Sequence, residues 1–160
     1  MSNRPFVPSW FWEIIDSTRP SLLALADRLE KLDRERLLSY YHYYEVASDS
    51  VCHQWDGPYI DDVIEHLSED STQDLTYWIV SNGKDFWLRA TEPEANLVEL
   101  FWMSVKVARG EISDPPKWTS EVASDNRRGS QTPNYIAGAI YSERFDGEFL
   151  DALHEFQQDL

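Results

Sequence analysis

The stretch Ser71-Thr-Gln-Asp-Leu-Thr-Tyr-Trp-Ile-Val-Ser-Asn-Gly-Lys-Asp-Phe-Trp-Leu-Arg-Ala-Thr-Glu-Pro93 decides the fold class. Ser71 reads as an N-cap, because its hydroxyl can accept from the unpaired amides of a first helical turn. Asp74, three residues on, has the place of a capping-box carboxylate and suits the positive end of the helix dipole. Leu75, Trp78 and Ile79 then recur at i, i+3 and i+4, the spacing of one buried helix face. Asn82-Gly83 predicts a left-handed stop. Phe86, Trp87 and Ala90 begin a second apolar stripe, which Pro93 ends unless it opens a further helix. Two helices joined by a tight turn are therefore expected.

The same signals recur on both sides. Ser9 precedes the helix Trp10-Phe11-Trp12-Glu13-Ile14-Ile15-Asp16, and Pro20 suits a first turn before Leu22, Leu25, Ala26 and Leu29. Asp33 caps a long segment from Arg34 to about His53. Pro58 restarts a helix through Ile60, Val63, Ile64 and Leu67. From Asn96 to Ala108 apolar residues are nearly continuous, as in an element covered on most sides. A buried strand over Val98 to Val107 competes, but the length and the Gly110 stop favour a helix. Thr132-Pro133 starts another helix, with Tyr135, Ile136, Ala139, Ile140 and Tyr141 inward, and Asp146 or Gly147 opens the last, with Phe149, Leu150, Leu153, His154 and Phe156 along its stripe and His154 read as a packed or half-exposed imidazole rather than a ligand. The expectation is one all-α domain over residues 1-160, of seven to nine helices packed around a buried apolar helix near 94-108. A short loose leader occupies 1-8. Turn residues dominate 111-132, which reads as a mobile, solvated loop with Trp118 pinned to the body and Arg127-Arg128 as its basic pair.

Composition narrows the function classes. A 160-residue chain can bury about 68–70% of its unfolded surface, and 42% hydrophobic residues exclude a disordered chain. Fourteen basic against 29 acidic side chains give a net charge of −15. Nucleic acid and anionic membranes are poor partners for such a surface, because both bind through Lys and Arg. A basic protein is the partner this charge favours, and plain acidic solubility is the bland alternative. The single Cys52 leaves no intrachain disulfide and no Cys-based zinc site, and reads as a small packed side chain. No signal-peptide pattern and no run of membrane-spanning length occurs, so the cytoplasm is the expected location.

Three segments together resemble a known family. Phe11-Trp12-Glu13-Ile14-Ile15, then Ser68-Glu69-Asp70-Ser71, then Trp78-Ile79-Val80-Ser81-Asn82-Gly83-Lys84-Asp85-Phe86 are similar to the bacterial domain-of-unknown-function family 4240. That family shows an opening Phe-Trp pair, a Ser-Asp-Asp-like turn and a Trp-hydrophobic pair running into Gly-basic-x-x-Phe. The resemblance covers roughly residues 10 to 97. Where the family has a small Ala/Gly-rich stretch, this chain has Asp61-Asp62-Val63-Ile64-Glu65-His66-Leu67. The resemblance implies no catalytic residue and no cofactor.

Motifs of known chemistry are missing: no Gly-rich phosphate loop, no Gly-x-Ser-x-Gly elbow and no His-Glu-x-x-His helix. Glu45, Asp49 and His53 fall at i, i+4 and i+8 along one helix stripe. They would suit a divalent metal in a metal-assisted hydrolase only if a second element supplied a ligand, His66 or Asp16 for example. A solvated polar face is the simpler reading. Tyr40-Tyr41-His42-Tyr43-Tyr44 places rings right around a helix, so they cannot all face one core. Either the helix is packed on several sides, or outward rings such as Tyr40 and Tyr43 form a recognition surface. Asp61, Asp62, Glu65, Glu69, Asp70 and Asp74 form the densest acidic cluster, a landing site for a basic partner or a solvated face. The leading expectation is an acidic cytoplasmic protein without catalysis or cofactor. It would inhibit, neutralise or escort a basic protein, as an immunity protein or adaptor does. A subunit of a larger assembly, with Trp118 and the tyrosine run as contacts, is a third possibility.

Overall fold

The computed structural model describes residues 4–54, 69–119 and 132–160, with side chains over 4–51, 72–119 and 132–160. Among these residues the fold is all-α. Eight helices follow in order: α1 Ser9–Thr18, α2 Leu22–Glu30, α3 Arg34–Gln54, α4 Glu69–Ser81, α5 Lys84–Ala90, α6 Leu97–Ala108, α7 Ile136–Arg144 and α8 Phe149–Gln158. The segment expected as a helix after Pro58, and Arg127-Arg128, lie outside the described residues. Two compact units share the chain: a middle unit of Met1–Val7 with Val46–Lys117, and a terminal unit of Pro8–Glu45 with Trp118–Leu160. The 21-residue α3 contributes to both.

In the terminal unit α1 packs on α2, α2 on α7, and α7 on α8. Asp33 caps α3 as expected, its Oδ1 accepting from Arg36 N at 2.8 Å. The aromatic run then splits by direction. Tyr40 and Tyr44 turn inward and meet Phe11 at 5.3 and 5.9 Å between ring centroids. Tyr41 lies edge-on to Phe149, 5.0 Å away. Such pairs add to the area term through their ring quadrupoles. Arg144 donates to the carbonyls of Leu29 and Leu32, closing the end of α2 that has no intrahelical partners. The start of the 111–132 segment is tied down through Thr119, which donates to Pro20 O and accepts from Leu22 N. Trp118 beside it is half-buried.

Three residues expected on inward stripes, Tyr135, Leu150 and His154, are exposed. Leu150 is off the stripe of Phe149, Ala152, Leu153 and Phe156, because a helix turns about 100° per residue and places it beside that arc. Tyr135 precedes the first turn of α7 as its N-cap and is exposed too.

In the middle unit α4 packs on α5 and α6. α4 starts at Glu69, so Ser71 lies inside the helix rather than capping it. Leu75, Ile79 and Val80 are buried. Gly83, at φ 96°, provides the left-handed stop and is the N-cap of α5. Trp87 is the buried anchor of α5: its indole N–H donates to Ala47 O at 2.9 Å and to Ser50 Oγ at 3.1 Å. The described part of the leader is tied to α5 at Arg4. Arg4 donates to Thr91 Oγ1 and Leu88 O and pairs with Glu92 at 2.6 Å, which satisfies the C-terminal end of α5.

α6 forms where its apolar run predicts a helix, but it is not a buried centre. Only Leu97 and Val107 are buried, and Trp102 is 47% exposed. Unbroken hydrophobicity signals a demand for cover on every side, whereas cover comes only where another element packs. Among the described residues of the middle unit, α4 packs on it.

Replacing Trp87 by Phe keeps an aromatic body but leaves the indole's acceptors short of a donor. The urea midpoint is expected to fall by an amount equivalent to about 1–3 kcal/mol; an unchanged midpoint would contradict the anchoring role.

Candidate functional site

An open groove of about 250 Å³ lies between α5 and α6 in the middle unit. Its lining follows from helical spacing. Phe86, Arg89 and Ala90 share one face of α5, and Glu99, Leu100 and Met103 share one face of α6. Glu94, Ala95 and Asn96 close the end between them.

Each wall is held from behind. Phe86 rests edge-on against Trp78 of α4, with centroids 5.3 Å apart. Asn96 Oδ1 accepts from Val98 N and Glu99 N at 3.0 and 3.2 Å, fixing where α6 begins. The Arg89 guanidinium lies 5.5 Å from the Phe86 ring centroid, a cation–π contact that flattens it along the wall. Glu94 and Glu99 are exposed at the rim. The ion pairs Arg4–Glu92, Arg19–Asp16 and Arg28–Glu13 lie elsewhere, and neither Glu94 nor Glu99 forms one among the described residues. Trp102, one turn beyond Glu99 on α6, is half-exposed.

This arrangement can take an apolar group out of water onto Phe86, Ala90, Leu100 and Met103, and meet a cation at Glu94 and Glu99. Its lining holds no Ser, Cys, Lys or His.

The family model described as "Protein of unknown function (DUF4240)" matches residues 8–121. The chain belongs to this family. The match reaches past residue 97, where the resemblance read from the sequence ends, and takes in α6, so both walls of the groove are family sequence. No curated protein and no solved structure matches.

The residues singled out in this DUF4240 chain are placed unevenly. Asp61, Asp62 and Glu65 lie outside the described residues. Glu69 and Asp70 open α4, with side chains outside the described set, and Asp74 is exposed on the same helix. Tyr40 needs correcting: it is fully buried, and its hydroxyl donates to Pro133 O at 2.9 Å. A ring held there cannot meet a partner, and burial pushes its pKa far up. The helix is packed on several sides at that level, which is why neighbouring rings differ. Tyr43 is half-buried, edge-on to Trp10 at 6.0 Å, and Arg36 stacks on Trp10 at 4.4 Å. Of the metal stripe, Glu45 is half-buried and Asp49 exposed, while the His53 side chain lies outside the described set. Among the described residues no three His, Cys, Asp or Glu side chains gather as a metal site.

The groove itself escaped sequence reasoning. The Phe86, Arg89, Ala90 and Glu99, Leu100, Met103 spacings are visible in the chain, but the sequence carries no signal that the two faces oppose each other.

His42 offers a pH test of the terminal unit. Gln157 Nε2 lies 3.2 Å from its Nδ1, and Phe156 packs edge-on to the ring. Burial disfavours the imidazolium, so its pKa lies below the ordinary 6.5. The unfolded chain therefore binds this proton first as pH falls through about 6.5, and stability decreases there. The urea midpoint should drop between about pH 7.5 and about 5.5 by less in His42→Gln than in wild type. An equal drop would show that His42 contributes nothing to it.

Proposed function

We propose that this DUF4240 member is a non-catalytic acidic binding protein that captures a basic protein, acting as its inhibitor, neutraliser or escort in the cytoplasm. The acidic excess of the chain carries this reading. Twenty-nine acidic residues stand against 14 basic ones, a net charge of −15. A field of that sign speeds encounter with a basic partner and repels nucleic acid and anionic lipid. No helix among the described residues is long and apolar enough to cross a membrane.

A tagged chain in extract of the native host, washed at low and then high salt, should release a basic protein as screening rises. With that protein purified, charge reversal at Asp61, Asp62, Asp70 and Asp74 should weaken binding at least about tenfold at low salt and flatten its salt dependence. Unchanged affinity in the reversed variant would refute capture through the acidic surface.

A further inference from the structure

The groove between α5 and α6 is too small for the usual occupant of a pocket. At about 250 Å³ it falls below the roughly 300–1,000 Å³ of sites that enclose cofactors or drug-sized molecules. It does suit one large apolar side chain. Its lining combines the apolar Phe86, Leu100 and Met103 with the exposed carboxylates of Glu94 and Glu99 and the Arg89 guanidinium. We propose that this groove docks a basic segment of the partner protein, with one aromatic or aliphatic side chain in the groove and a neighbouring Lys or Arg on Glu94 and Glu99. The proposal rests on the acidic-capture reading and gives it a place.

Charge complementarity selects the occupant. A second copy of this chain would bring its own net charge of −15 against the first. An acidic segment would meet the rim carboxylates with like charge. Arg89, stacked along Phe86, remains able to take a carbonyl or carboxylate of the docked segment, which would set its direction. Trp102, half-exposed one turn from Glu99, extends the contact as the kind of aromatic that dominates interfaces.

Two short synthetic peptides test this on the whole chain: one with a central Phe between Lys pairs, the other with Ala in place of Phe. Backbone amide NMR follows each titration. Burial of the ring should make the Phe peptide bind about tenfold to a hundredfold more tightly than the Ala peptide. Saturable shifts should fall on Ala90, Ala95, Leu100 and Met103. Met103→Arg should abolish the preference for Phe, and the surface pair Glu94→Gln with Glu99→Gln, which spares the fold, should weaken both peptides. Equal binding of the two peptides, or shifts away from the groove, would overturn the docking site while leaving acidic capture standing. No binding of either peptide would overturn the docking site as well. Capture itself fails only if the Asp61, Asp62, Asp70 and Asp74 reversal also leaves partner affinity unchanged.

Discussion

One buried indole sets the geometry on which the groove depends. α5 has seven residues, too few for a helix that holds itself in water. Trp87 fixes it by donating to Ala47 O and Ser50 Oγ from a position only 3% exposed. Arg4 secures the other end through Leu88 O, Thr91 and Glu92. With Trp87 turned inward, helical spacing leaves Phe86, Arg89 and Ala90 on the face that lines the groove. The α5 side of the groove thus follows from an anchor that is not itself part of the lining.

Stability and charge are handled by separate sets of residues. Buried aromatics and aliphatics such as Phe11, Tyr40, Tyr44, Leu25 and Leu29 form the terminal core, and Leu75, Ile79, Val80 and Trp87 the middle one. Exposed ion pairs contribute little, typically about 0–1 kcal/mol each, so Arg19–Asp16 and Arg28–Glu13 do not hold the fold. Nor do they neutralise the surface. Self-repulsion at −15 opposes compaction.

Local chemistry in the sequence revealed most of the elements. Asp33, Asn96 and Gly83 mark helix ends through hydrogen bonds or backbone freedom that need no distant residue. The all-α class and the family followed from such signals and from the aromatic motifs. What was not legible depends on which elements meet. The apolar run of α6 suggested a buried centre, yet it finds cover along only one stripe. Tyr40 and Tyr43 are the same residue type on one helix, and only packing against Phe11 and Pro133 sends Tyr40 inside. The acidic cluster drew attention by density, whereas the groove's two carboxylates, Glu94 and Glu99, are sparse in sequence and acquire meaning from the apolar residues that line the groove with them.

Hydrogen exchange measured by mass spectrometry, on the chain alone and in complex with a basic protein of the kind proposed, is the most direct measurement of whether this geometry is used. Slowed exchange concentrated in residues 84–106, covering α5, its connection and most of α6, is the predicted result. Unchanged exchange there, with protection appearing on other helices, would contradict the assignment of the groove as the docking site.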